Sequence, residues 1–266
     1  MNGTGRERKT PLLMARNISK SFGDLRALHD VDVAVFSGKI TAFVGPNGAG
    51  KTTLFHILSG NLRPDRGRVV FDGVDITRFE PWRIAWKGMG KLYQDVRIFE
   101  GLSVLDNVKA ALLEPADYSI LSAFRLRRFA AAERARGEEA MHYLEYVGLG
   151  GSAKKRGGEL SFGQQKLLAV ARLLAHKSRL LLLDEPTAAL SPVMKENMIA
   201  LIRKITAERN VSVALIEHDM RVVRELASYI YFLHEGTVYC HGTQSCVLEN
   251  PEVRELYMGL SGGRME

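Results

Sequence analysis

The 266-residue chain is 46% hydrophobic and 25% charged, the balance of an ordinary soluble globular protein, and is long enough for one large domain or two small ones. No apolar run approaches bilayer length, and the opening MNGTGRERKTP has no apolar stretch behind its charges; no membrane span or secretory leader is read, and the chain is expected in the cytosol. A net charge of +7 suits nucleic acid, an anionic membrane surface or a solvated exterior without deciding among them. The two cysteines, Cys240 and Cys246, have the spacing of neither a zinc knuckle nor a redox pair and read as ordinary reduced residues.

In chain order, residues up to about Thr10 are polar and basic and are expected to be loosely ordered. Leu12 to Ile18 and Val31 to Phe36 read as strands, the second with clear alternation, and SFGDLRAL lies between them. Phe22 in that connection could stack on a purine or fill a gap in the core; taken alone, the core is favoured. Ile40 to Val44 reads as a buried strand and Lys51 to Leu58 as a helix. The segment joining them fits the P-loop pattern G-x-x-x-x-G-K-[ST] through Gly45, Gly50, Lys51 and Thr52.

Each residue type there has a physical use. Gly45, Gly48 and Gly50 let backbone N–H groups curl around phosphate oxygens, and the following helix adds its N-terminal N–H groups and positive dipole end. Lys51 is expected on the β and γ phosphates and the Thr52 hydroxyl on Mg²⁺. The whole cradle, Gly45, Pro46, Asn47, Gly48, Ala49, Gly50, Lys51, Thr52 and Thr53, is expected to bind ATP or GTP.

Beyond it, Arg68 to Phe71 is a short strand followed by an Asp72–Gly73 turn, and Glu80 to Lys87 a short helix whose Trp82 and Trp86 are expected to pack inward. A short strand then leads through Gln94 into a loop, and Ser103 is the N-cap of the next helix. From Ser119 to Val147 the composition turns helical and basic. Arg125, Arg127, Arg128, Arg134, Arg136, Lys154, Lys155 and Arg156 cluster in or just after that stretch. With few aromatics interleaved, they read as solvated helix faces rather than a nucleic-acid site.

The glycine-rich GLGGSAKKRGGELSFGQQ introduces a helix from roughly Gln164 to Ala175, with a stripe of Leu167, Leu168, Ala171, Leu174 and Ala175. RLLLLDE, Arg179 to Glu185, is a strand buried on both faces whose carboxylates emerge at its C-terminal edge, where ligands bind in parallel sheets. Asp184 is the natural metal partner of a P-loop. Glu185 could deprotonate water or simply cap a helix. Ser191 and Pro192 open a helix to about Glu208, and Val211 to Ile216 is a buried strand ending in Glu217, His218 and Asp219. Strands from Tyr229 to His234 and Thr237 to His241 precede a small polar helical tail.

In this order the elements resemble the ATP-binding cassette (ABC) family of transporter ATPases across nearly the whole chain. GPNGAGKTT is similar to the family's Walker A, LLLLDEP to its Walker B with the catalytic glutamate, and LSFGQQ to its signature sequence. By that resemblance Phe22 falls at the adenine-stacking position, Gln94 in the Q-loop, AALS (Ala188 to Ser191) in the D-loop and His218 at the switch histidine. Phe162 stands where the commonest signature has glycine, and Ser191 where many D-loops have aspartate. IFEGLSVLDNV, the basic insertion, LSFGQQ and the ending GTQSCVLENPEVRELYMG most resemble the ATPase subunits of branched-chain amino-acid importers. Urea or amide importers and lipopolysaccharide-export ATPases share enough of these features to stand as alternatives. A soluble cassette regulator acting on nucleic acid is a weaker one.

The resemblance implies an α/β P-loop NTPase fold of ABC type, with a mixed-sheet core, an N-terminal antiparallel β subdomain and a helical signature subdomain. It implies one ABC ATPase domain over 1–266: core and β subdomain at 11–95 and 178–245, Q-loop and helical subdomain at about 96–177, tail at 246–266. It further implies ATP hydrolysis with Mg²⁺ held by Thr52, Gln94 and Asp184, and catalysis by Glu185, His218, Lys51 and Gln94. Ser161, Gly163 and Gln164 would serve the nucleotide of a facing subunit, in a homodimer or a heterodimer with a paralogue. Integral membrane permease subunits, an indirect periplasmic or extracellular binding protein, no nucleic acid, and a place on the inner face of the cell membrane complete the expectation.

Overall fold

The computed structural model describes residues 10–113 and 126–258, with side chains withheld for 126–130 and 257–258. The expectations for the first nine residues, for Ser119 to Arg125, for the side chains of Arg127 and Arg128, and for the tail past Met258 lie outside the described residues. The chain divides into two compact units, 1–86 with 203–266 and 87–202.

In the first unit, β1 (Leu13–Phe22) and β2 (Leu25–Val35) form an antiparallel hairpin. β4 (Arg66–Phe71) and β5 (Val74–Asp75) extend it into a sheet of order β2-β1-β4-β5. β2 starts well before the expected Val31, since SFGDLRAL is mostly strand around a Gly23–Asp24 turn. The reason is that the outer end of this ribbon buries little: Leu25 and Arg26 are exposed, so cross-strand backbone bonds hold it and the apolar alternation fades. Asp72 and Gly73 both take positive φ, 50° and 76°, as a tight hairpin turn demands.

The second sheet of this unit runs β10-β9-β3-β8. β3 (Ile40–Val44) lies parallel to β8 (Ser212–Ile216) and β9 (Tyr229–His234), and β10 (Thr237–Gly242) returns antiparallel to β9. Both β3 and β8 are buried throughout, which their unbroken apolar runs require. Phe43 anchors β3: its ring stacks on Tyr231 at 5.3 Å and meets Phe55 of α1 (Lys51–Leu58) edge-on at 5.5 Å. α7 (Met220–Leu226), α8 (Gln244–Leu248) and α9 (Pro251–Met258) close one face, with Val247, Leu248 and Val253 in a core cluster with Ala42, Val44 and Phe232. The described part of the tail thus buries Val247, Leu248 and Val253.

α2 (Pro81–Trp86) corrects one expectation. Trp82 and Trp86 are 63% and 42% exposed, and Ile84 is the residue that packs inward. In a helix of under two turns one side chain faces the core, and Ile84 takes that place.

In the second unit β6 (Met89–Leu92) lies parallel to β7 (Leu180–Asp184), and α3 (Val104–Ala111), α4 (Leu126–Tyr146) and α5 (Phe162–Ala175) pack on one another. α6 (Pro192–Arg209) carries the boundary between units. Arg134 on α4 is 84% exposed on its side chain, as expected of a solvated helix face, and Lys154, Lys155 and Arg156 are exposed in the connection between α4 and α5 rather than on a helix. Arg136 is largely covered, 3.9 Å from Glu133.

Ser103 caps α3, its hydroxyl accepting from the Asp106 amide at 2.9 Å and donating to the Asp106 carboxylate at 2.6 Å. Ser103→Ala is expected to lower the unfolding free energy by about 1 kcal/mol in urea titration, with Ser103→Thr close to wild type.

Candidate active site

The P-loop spans the turn between β3 and α1. Gly45 has φ 145°, and a Cβ there would come within 2.0 Å of the Leu233 carbonyl oxygen, so packing against β9 forbids a side chain. Gly48 has φ 81°, a conformation that side chains rarely adopt, with open space where a Cβ would stand. α1 begins with no side-chain cap and no acid in its first turn, so its leading amides face the loop undiluted by negative charge. Lys51 is only 5% exposed, and its Nζ donates to the carbonyl oxygens of Gly45 (2.7 Å) and Pro46 (2.8 Å), which holds the ammonium across the loop. Thr52 and Asn47 are exposed, whereas Ala49 is buried and its amide donates to the Pro46 carbonyl at 3.2 Å.

Strand register brings the end of β8 to this edge, because Phe43 pairs with Ile216 in parallel. Glu217 is buried, His218 is exposed, and Asp219 N-caps α7 by accepting from the Arg221 amide at 2.9 Å. The His218 amide donates to the Glu217 carboxylate at 3.2 Å. Phe22, at the tip of the β1–β2 hairpin, is 49% exposed with Lys20 Nζ 5.7 Å from its ring centre. That corrects the core-filling alternative: the ring is offered to solvent, where a base could stack on it.

In the second unit the parallel pairing of Leu92 with Leu183 puts Gln94 just past the end of β6, beside Asp184 at the end of β7 and Glu185 just past it, at the same edge of adjacent strands. Gln94 is exposed, Asp184 buried and Glu185 half-buried. Glu185 sits at φ 50° and Ala189 at φ 58°, left-handed conformations that cost a side chain about 1–3 kcal/mol and persist only where surrounding contacts impose them. Those contacts come from Lys166. It is 2% exposed, and its Nζ donates to the carbonyl oxygens of Glu185 (3.0 Å), Pro186 (3.2 Å) and Ala188 (2.9 Å).

α5 starts two residues earlier than the expected Gln164, at Phe162. Ser161 and Gln164 cap each other: the Ser161 hydroxyl accepts from the Gln164 amide at 3.4 Å and the Gln164 side chain accepts from the Ser161 amide at 3.1 Å. That box lets Phe162 and Gly163 join the first turn despite weak propensity. Gly163 is buried, and a Cβ there would meet the Met194 side chain at 3.0 Å. Ser161 and Phe162 are exposed at the helix start.

Sequence reasoning missed several supporting residues. Asn107 is fully buried and grips the loop after Gln94, donating to Phe99 and Ser103 carbonyls at 2.9 and 3.0 Å and accepting from the Phe99 amide at 2.8 Å. Arg172 donates to the Arg97 carbonyl at 2.5 Å and lies over the Phe99 ring. Lys91 is pulled down to about 8 by burial, opposed by the negative charge of Asp184. No sequence signal singles out Lys166: it stands near Gln164, Gln165 and Arg172, off the stripe of Leu167, Leu168, Ala171, Leu174 and Ala175.

Comparison with known proteins identifies the family. The ABC transporter family model matches residues 28–188. The chain is 36% identical, over 94% of its length and 98% of the relative, to the high-affinity branched-chain amino acid transport ATP-binding protein BraF of Pseudomonas aeruginosa. It is 31% identical, with the same coverage, to LivG of Escherichia coli, which carries the same description. The crystal structure of the ADP conformation of MJ1267, an ATP-binding cassette of an ABC transporter, superposes with a TM-score of 0.79 at 30% identity, covering 94% of this chain and 99% of that one. The dimeric post-hydrolysis structure of the cassette MJ0796 bound to ADP and Pi gives 0.73 at 25% identity, over 87% and 98%. With a family model spanning most of the chain and relatives matched end to end, this chain belongs to the ABC transporter family and is an ATP-hydrolysing cassette.

Proposed function

We propose that this cassette powers import of branched-chain or related amino acids across a bacterial cytoplasmic membrane. The observation that carries the reading is its end-to-end likeness to BraF, 36% identity over 98% of that protein. None of the helices among the described residues is long and apolar enough to cross a membrane, so the reading gives translocation to separate permease subunits. The chain would bind them from the inner face and meet the external binding protein only indirectly.

Two copies, or one copy and a paralogue, would face head to tail with two ATP molecules between them. Phe22 would stack on adenine. The loop from Gly45 to Thr53, with Lys51, would hold the β and γ phosphates, and Ser161, Gly163 and Gln164 of the facing copy would cover the γ phosphate from a helix N-terminus. Glu185 would take a proton from the attacking water as the bond to the γ phosphorus forms and ADP leaves, and His218 would steady that phosphate.

The donors proposed for Mg²⁺, the Thr52 hydroxyl, the Gln94 amide and the Asp184 carboxylate, are all oxygens. No group of three His, Cys, Asp or Glu side chains suited to a metal occurs among the described residues. Such a set fits an ion that keeps its waters and arrives on the phosphates rather than in a protein cage. When bound, the ion would neutralise charge on the β and γ phosphates.

Deleting the gene in its host is expected to abolish energy-dependent uptake of labelled leucine, isoleucine and valine, with uptake restored by the wild-type gene. Intact uptake of all three, with urea uptake or lipopolysaccharide export lost instead, would overturn the reading.

A further inference from the structure

We infer that Lys166 is a positioning residue for Glu185, tying the start of the signature helix to the backbone turn that aims the catalytic carboxylate; this rests on Glu185 being the general base, as proposed above. Lys166 lies just over one turn into α5, on the face turned away from water, and is 2% exposed. An ammonium has three N–H donors and no acceptor, and here three backbone carbonyls converge on it, those of Glu185, Pro186 and Ala188 at 3.0, 3.2 and 2.9 Å. The same Nζ stands 5.1 Å from the centre of the Phe162 ring. One side chain therefore touches the exposed first residue of the signature helix and the turn that follows β7.

That turn needs such a device. Glu185 at φ 50° and Ala189 at φ 58° both hold a conformation that side chains avoid, and the first is the residue whose carboxylate must point at water. The turn's own bond from the Ala188 amide to the Glu185 carbonyl is 3.2 Å long. Lys166 gathers the outward carbonyls of both ends of that bond and of Pro186 between them, so the left-handed turn is fixed from outside by a group belonging to another helix. Phe162, where the commoner signature has glycine, sets its ring over the same ammonium. The two features are parts of one arrangement: a bulky signature residue and three carbonyls about one buried cation.

Lys166→Met keeps the length and apolar stem but removes the donors. In the purified full chain it is expected to lower kcat for ATP hydrolysis by roughly ten- to a hundredfold, the loss a small misplacement of a reacting group causes. The KM for ATP and ADP affinity by fluorescence should stay near wild type, and the melting temperature should fall modestly, because three buried carbonyls lose their donor, with the protein still fully folded at the assay temperature. Lys166→Arg, which retains a cation and several donors, should recover part of kcat. In a Glu185→Gln background Lys166→Met should slow residual turnover no further, because the group it positions is already gone. Unchanged kcat in Lys166→Met would overturn the inference. So would a fall in kcat matched by equal losses of ADP affinity and folded fraction, or losses that multiply in the double variant. If Lys166→Met does not fold, Lys166→Arg displaces the donors without removing the charge and must itself show lowered kcat at unchanged KM, failing which the inference is overturned. Near-normal turnover in Glu185→Gln alone would instead remove the general-base reading, so the two failures are separable.

Discussion

Glu185→Gln is expected to bind ATP as tightly as the wild type and to hydrolyse it at least about a hundredfold more slowly, the lower end of what a positioned general base contributes. The amide matches the carboxylate in shape but cannot accept the proton that water must lose. Gln enters the left-handed conformation at φ 50° with the same branching at Cβ as Glu, so the turn held by Lys166 is undisturbed and the loss is chemical rather than structural. With the γ phosphate retained, the closed dimer should accumulate. Steady-state phosphate release together with size-exclusion chromatography in Mg²⁺ and ATP reads both effects, and phosphate release at the wild-type rate would take Glu185 out of its role.

Lys51→Ala should weaken ATP binding by roughly ten- to a hundredfold, taking about 1.5–3 kcal/mol for hydrogen bonds to a charged group and 1.4 kcal/mol per tenfold in affinity. Because the expected partners are the β and γ phosphates, AMP affinity should change far less than ATP affinity. The substitution also removes the bonds to the Gly45 and Pro46 carbonyls, at 2.7 and 2.8 Å, from a side chain that is 5% exposed. A lower melting temperature should therefore accompany it, even without nucleotide. Fluorescent-nucleotide titration with a parallel thermal melt separates the two contributions, and full ATP affinity in this variant would falsify the cradle assignment.

The reach of sequence reasoning follows the distance over which each feature is determined. β3, α1 and the loop between them were legible to the residue, because a phosphate cradle is made by the backbone of consecutive residues and leaves its requirement as glycines at fixed offsets. The Ser103 cap and the Ser191–Pro192 opening of α6 were legible for the same reason, each being settled within one helical turn. Trp82 and Trp86 are misjudged by an inward preference that aromatics show on average, the same preference that favours the core for Phe22 taken alone. Whether such a ring is covered depends on what other segments lie beside it. For Phe22 the hairpin tip extends past its sheet's buried end, and in α2 Ile84 fills the available space.

The sequence by itself determined the family, the parallel core strands and the identity of the residues expected to handle nucleotide, since these reside in contiguous patterns whose chemistry admits few alternatives. Only the tertiary structure decided how those residues are aimed. The buried Lys166 gathers carbonyls from a turn 19 to 22 residues away, and Asn107 holds a loop 8 residues before it. In sequence each is one polar residue among several in its helix, indistinguishable from a solvated one until the fold brings its partners within bonding distance. Burial then makes the arrangement specific: a lysine taken out of water must have all its donors met, and the carbonyls able to meet them are those of the turn that carries Glu185.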